Sequence, residues 1–305
     1  AEPYRYGRLL LGVPGPMSSI HRSAAAFCPG HISGYFRRVN GADAATTGSV
    51  GAGIVISEGV RSTVTPADRT VIEVLRAGAD EKVSQVAQDS PLLRSAMDTI
   101  GVTAAVTTRC RLPIGAGFGL SAAALLSTLM ALDRLYDLGL SERRIAHLAH
   151  ETEVKHRTGL GDVVSCRGGG MVVRTVAGID APIRRFTDIG EPVYAVSFGP
   201  IHTPTVLGSP EQMAKVAVAF PDGEPGTFPE FFANARSFAE KSGLVTPQVR
   251  SVLAACDDAG VPASMTMLGN GVFACGNNAR PVLARFGEVF GMTIAKSGPV
   301  VVEEP

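Results

Sequence analysis

Residues 113–121 read Pro-Ile-Gly-Ala-Gly-Phe-Gly-Leu-Ser, with three glycines in five positions. They join an alternating run, Val102 to Arg111, to the Ala/Leu-rich run Ala122–Tyr136. A strand that passes into a helix through such a bend requires a fold that mixes both elements. The missing Cβ atoms let backbone approach a ligand, and they leave successive N–H groups facing an anion at the positive end of a helix dipole. The bend therefore suits a phosphate, although a ligand-free turn would use glycine equally well. Two common cradles do not fit. A G-x-G-x-x-G needs glycine where Leu120 stands, and no G-x-x-x-x-G-K-[ST] occurs. A hydrolase elbow needs glycine in place of Ala123.

The 28 basic residues are matched by 28 acidic ones, which leaves no global field for nucleic acid or anionic membranes. Neither partner is expected, and a phosphate has to be held locally. The longest apolar stretch, Ala122 to Leu132, is shorter than the ~18 residues of a spanning helix. Residues 1–23 read as an extension without the apolar core of a secretory signal, so the expected location is the cytoplasm. The five cysteines are odd in number, widely spaced and free of C-x-x-C, and read as buried thiols.

Strands are expected at Ala24–Cys28, Ser49–Ser57, Val60–Thr65 and Thr70–Leu75. Ser90-Pro91 opens a helix to about Ile100, and Ser141 caps another that runs to about His156. Met171–Thr175 reads as a strand, and the looser 182–192 as a domain boundary. Beyond it come a strand at Val193–Phe198 and helices at Pro210–Ala219, Pro229–Lys241 and Pro247–Ala259. Strands at Ala263–Leu268 and Val272–Cys275, a helix near Pro281–Phe290 and a short final strand complete an α+β chain. The division expected is 1–23, 24–186 and 187–305.

Three residues carry the candidate chemistry. Ser121 opens the helix after the bend, where its hydroxyl can cap the helix or ligate Mg²⁺. In the next helix Ile145, Leu148, Ala149, Thr152 and His156 share an inward face. Glu153 lies at the edge of that face, His150 further round, and Glu151 points largely the other way. Asp162, after Gly159-Leu160-Gly161, is either a turn aspartate or a carboxylate that aligns an acceptor hydroxyl.

Three blocks give the chain a family resemblance: Phe27-Cys28-Pro29-Gly30-His31-Ile32-Ser33-Gly34-Tyr35-Phe36, Pro113–Ser121, and Ser264-Met265-Thr266-Met267-Leu268-Gly269-Asn270-Gly271. With them the sequence, over roughly residues 24–305, resembles the GHMP superfamily of small-molecule kinases. Gly48-Ser49-Val50-Gly51-Ala52-Gly53 and Arg157–Asp162 make it similar to the archaeal pantoate kinases within that superfamily. The resemblance implies a ribosomal-protein-S5-domain-2-like N-terminal domain, a ferredoxin-like C-terminal domain and a site between them. It implies ATP-dependent phosphorylation of the hydroxymethyl group of pantoate, on the archaeal route to coenzyme A. It assigns ATP to Pro113, Gly115, Ala116, Gly117, Gly119, Leu120 and Ser121, Mg²⁺ to Ser121 and Glu153, and catalysis to Asp162. His31, Ser49, His150, Arg174 and Thr205 are implied as substrate contacts; Arg174 has the clearest chemistry, a fork suited to pantoate's carboxylate. Many of these kinases have lysine where His31 stands, so no lysine is available there to acidify the hydroxyl. A mevalonate- or homoserine-type acceptor and a non-catalytic ligand sensor remain the rival readings, and a homodimer is left open.

Overall fold

The computed structural model describes residues 22–78, 81–201 and 208–303. Residues 1–21, 79–80, 202–207, which include Thr205, and 304–305 lie outside them. The first sheet is organised by two long antiparallel strands, β1 (Ala24–Val39) and β2 (Gly48–Pro66), paired from Ala24 with Val64 to Val39 with Gly48. The two strands expected over 49–65 are thus one. Register shifts at Pro29/Gly30 and Ser33/Tyr35 absorb the bends that the glycines signal, so pairing continues across them.

Next come β3 (Val71–Ala77), an edge strand β4 (Val83–Ala87) and α1 (Pro91–Ile100). Ser90 caps α1 by accepting from the Leu93 N–H, and Gly101 ends it in the left-handed region. The helix lets the chain cross over, and β5 (Ala104–Cys110) runs parallel to β3. The bend then feeds α2 (Leu120–Tyr136), which packs on β1 and β2; α3 (Glu142–His156), capped by Ser141, and a short α4 (Asp162–Cys166) follow. Strand β6 (Met171–Arg174) pairs with β2, and β7 (Ile183–Phe186) with β6. That last strand falls in the stretch expected to be loose; its mixed burial and two arginines hide a strand signal that its partner supplies.

The second sheet is built from β8 (Val193–Pro200), β9 (Ala263–Met265), β10 (Gly269–Cys275) and β11 (Val289–Met292), in the order β11-β8-β10-β9. All its pairings are antiparallel, with the first and third strands central, the ferredoxin-like order expected. Helices α5 (Pro210–Ala219), α6 (Phe228–Lys241) and α7 (Pro247–Asp258) separate β8 from β9. The helix expected over 281–290 is a correction: α8 spans only Ala279–Leu283, and Val289–Met292 fills the free edge of β8. The chain finally returns to the first sheet, where β12 (Val300–Val302) pairs with β1. Among the described residues no helix is long and apolar enough to cross a membrane.

Candidate functional site

All three glycines of the bend, Gly115, Gly117 and Gly119, have positive φ (75°, 84° and 63°). A side chain would be strained at each, and all three also lack the space for one, Gly115 because a β-carbon would lie 2.9 Å from Pro200 Cβ. A β-carbon on Gly117 would lie 2.8 Å from the Met267 carbonyl oxygen, and one on Gly119 3.0 Å from the backbone of His31. The neighbours reciprocate. Gly269 sits where a β-carbon would lie 1.9 Å from the Ala116 oxygen, and Gly30 where one would lie 2.7 Å from the Phe118 oxygen. The three sequence blocks therefore meet as one packed unit, with the bend clamped between β1 and the turn before β10. Phe118, fully buried, anchors it edge-on to Phe290.

Gly119 is the residue that caps α2, and no side chain bonds to the first turn. Ser121 is thus no N-cap. Its hydroxyl instead donates to Glu153 Oε1 at 2.5 Å. Glu153 is buried, as its place on α3 predicts, and its Oε2 has no partner. Burial, and after it the charge of Asp162, push the carboxyl up to about 8 against the pull of Ser121 and Thr158. A buried carboxylate with a bare oxygen beside a hydroxyl fits a hard cation, which takes oxygen ligands and keeps waters and substrate phosphates as the rest of its shell. Among the described residues no group of three or more His, Cys, Asp or Glu forms a self-sufficient metal cage.

The Gly159-Leu160-Gly161 turn is explained by what stands over it. A β-carbon at 159 would fall 2.4 Å from Glu153 Oε2, and one at 161 2.6 Å from Ser49 Oγ and 2.8 Å from Arg174 Cζ. Asp162 follows as the first residue of α4 and hydrogen-bonds His31 Nδ1 through Oδ1 at 2.7 Å. Burial alone would raise its carboxyl, but the His31 hydrogen bond and the nearby Arg174 outweigh it and hold it below the usual carboxylate value.

Arg174 closes β6, fully buried. One of its nitrogens bonds to Ser165 Oγ and to the Gly161 carbonyl, while Nε and Nη2 have no partner. Two unspent donors on a buried guanidinium beside Ser49 are what a carboxylate would satisfy. His150 Nδ1 and His31 Nε2 are likewise buried without a partner. His150 is buried and donates Nε2–H to the Thr47 carbonyl at 2.9 Å, which steadies the strand end that carries Ser49. His31 is buried behind Asp162.

Part of this set lines a cavity of about 780 Å³; Glu153, Arg174, His150 and His31 are not among its lining residues. Gly115, Gly117, Gly119, Leu120, Ser121, Ser49 and Asp162 line it, joined by Ser33, Phe36, Thr158 and Leu160. Ala116 is buried in the clamp. A further stretch of the wall is apolar: Val60, Val74, Val86, Leu92, Cys110 and Ile114. Sequence reasoning missed this part, because valines and leucines of β3, β4 and α1 carry no mark that separates a pocket wall from core. Pro200, Ile201, Met267 and Leu268 complete the lining from the second sheet.

The model of the GHMP kinases N-terminal domain matches residues 82–170. A pantoate kinase of Methanospirillum hungatei is 46% identical over 277 residues, 91% of this chain and 96% of that one. A pantoate kinase of Thermococcus kodakarensis is 33% identical over 272 residues, 82% of this chain and 86% of its own. A solved structure described as a phosphotransferase related to the CoA biosynthesis pathway superposes with a TM-score of 0.74 at 27% identity, over 92% of this chain and 98% of the other.

Proposed function

We propose, since this chain belongs to the pantoate kinase family of the GHMP kinases, that it transfers the terminal phosphoryl group of ATP to the hydroxymethyl oxygen of pantoate. The observation that carries the reading is one cavity lined by the glycine bend at the N-terminus of α2, by Ser121, which hydrogen-bonds the buried Glu153 behind it, and by Asp162. The N–H groups of the glycine bend face the phosphates, and the apolar wall of Val74, Val86, Leu92 and Ile114 suits a planar base. Ser121 and Glu153 would hold Mg²⁺, which when bound neutralises phosphate charge as the bridging bond breaks.

Pantoate brings a carboxylate, a secondary hydroxyl, two methyl groups and the reacting hydroxymethyl. Arg174 and Ser49 take the carboxylate, Phe36 and Leu160 provide apolar surface for the methyls, and Asp162 accepts the hydrogen bond of the attacking hydroxyl. The new bond joins that oxygen to the γ-phosphorus, the β–γ bridging bond breaks, and ADP leaves with its electron pair. The hydroxyl proton passes to Asp162 once the bond has largely formed, because a loose transition state asks for little proton removal earlier. The cytoplasm suits this work: ATP is there, and the described cysteines are free thiols, as a reducing compartment keeps them.

Purified protein with ATP and Mg²⁺, offered pantoate, mevalonate and homoserine separately, tests the assignment. The expected products are ADP and 4-phosphopantoate, with pantoate preferred. Preferential use of mevalonate or homoserine would overturn the acceptor, and binding of ATP and pantoate without any ADP formation would make the chain a sensor.

A further inference from the structure

His31 and Asp162 stand 131 positions apart in the chain and meet at 2.7 Å. Three surfaces hold His31. On one, its backbone N–H donates to the Phe118 carbonyl of the bend at 2.9 Å. On another, Nε2 presses on β2, where a β-carbon at Gly53 would fall 2.2 Å away. On the third is Asp162. The ring is 0% exposed and takes no part in lining the cavity, whereas Asp162 does line it.

An ionised carboxylate can only accept, so Nδ1 carries the proton and Nε2 presents a bare lone pair without a partner. Burial pulls the His31 pKa below its ordinary value although the Asp162 hydrogen bond and charge act the other way; Arg174 on β6 and Arg185 on β7 add to the lowering. Glu153 on α3 and Cys166 on α4 also face this corner. A second proton would leave a buried Nε2–H without an acceptor beside Gly53. The neutral ring therefore orients the carboxylate without cancelling its charge, as an ammonium group would.

We propose that His31 is a positioning residue for phosphoryl transfer: its Nδ1–H fixes one oxygen of Asp162, leaves the other for the acceptor hydroxyl, and sets that carboxylate in register with the phosphate-holding bend through Phe118 and Gly119. The inference rests on reading the cavity as a kinase site. Its range is narrower than the substrate contact implied by family resemblance, because a ring behind Asp162 acts on the reaction only through it.

His31→Leu removes the donor, and His31→Asn keeps an N–H close to the place of Nδ1. The leucine variant is expected to lose about 10²-fold in kcat, with the KM for pantoate and for ATP changed less than about threefold, since misplacement of a reacting group costs rate on that order. The asparagine variant is expected to recover at least about tenfold of that loss. A rise in pantoate KM at unchanged kcat would restore His31 to the substrate contacts, and an asparagine variant no better than leucine would make the ring mere packing; either overturns the proposal. Nitrogen-15 NMR of histidine-labelled protein, with His31 assigned by its absence from the asparagine variant, reads the arrangement without turnover. The neutral Nδ1–H tautomer is expected, with its signal moved by Asp162→Asn; an Nε2–H tautomer or an imidazolium at neutral pH overturns the proposal, also where the leucine variant does not fold. Should the wild-type protein phosphorylate something other than pantoate, the acceptor reading fails while the tautomer still decides on His31.

Discussion

Gly159 and Gly161 separate two jobs of the site within three residues. Neither has the positive φ that would forbid a side chain, so alanine is tolerated by the backbone at both, and what changes is the group pushed aside. Gly159→Ala displaces the flexible end of Glu153 and is expected to raise the Mg²⁺ and ATP requirement about tenfold while pantoate dependence stays close to normal. Gly161→Ala displaces Arg174 and Ser49 and is expected to do the reverse; steady-state kinetics with each substrate varied in turn checks both. Combined with Arg174→Ala, the Gly161 change should add little, because contacting residues are not additive. His150 gives a pH effect whose sign can be worked out. Burial lowers its pKa in the folded protein below the ~6.5 of an unfolded chain. Its contribution is complete above pH ~6.5 and is lost as pH falls through the lower folded value, because the unfolded state takes up the proton first. His150→Gln keeps a donor for Thr47 without a titrating ring, so its urea midpoint should fall less than that of wild type between pH 7 and pH 5. The sequence revealed Glu153 and Asp162 as inward or turn carboxylates but not the His31–Asp162 contact, which depends on two strands and a turn far apart in the chain.

At the level of elements, what could be read in advance were the helices with local signals. Ser141 announces α3, and Ser90 with the first-turn prolines announces α1, α5, α6 and α7; all five lie where the pattern puts them. What could not be read were β4, β7 and β11, short strands whose identity lies in the neighbour they pair with. The glycine bend shows both cases at once. Its positive φ values are legible as glycine, but the reason the backbone stays put is the turn before β10, which the sequence places 150 residues on. Gly269→Ala tests that clamp. Its β-carbon would stand 1.9 Å from a backbone oxygen, which cannot rotate away as a side chain can. The bend must shift, and ATP affinity is expected to fall at least tenfold by isothermal titration, with a lower melting temperature. An unchanged affinity would mean that the bend holds its shape by its own glycines.

Across the whole molecule, the cavity exists only while both sheets are in place. The bend belongs to the first sheet, yet the Ile201 N–H donates to the Gly115 carbonyl and the Met267 N–H to the Ser33 carbonyl. Phe118 packs on Phe290 of β11, and the ring of Phe231 on α6 lies where Gly34 of β1 leaves room. The last strand then crosses back, so the C-terminal residues, expected within 187–305 as a separate domain, close the first sheet beside the strand that carries His31. Two units tied at the bend, at β1 and at the chain end have little freedom to melt apart. The expected outcome is one calorimetric transition whose van't Hoff and calorimetric enthalpies agree, despite two sheets. Mg²⁺ and ATP at 100 times the dissociation constant should move that single transition up as a whole, by about 2.7 kcal/mol of added stability, because the ligand binds only where both sheets stand. Two transitions, with only the earlier or only the later one responding to nucleotide, would show that one sheet alone supports the phosphate bend and that the contacts at Gly115, Gly117 and Gly269 follow from docking rather than build the site.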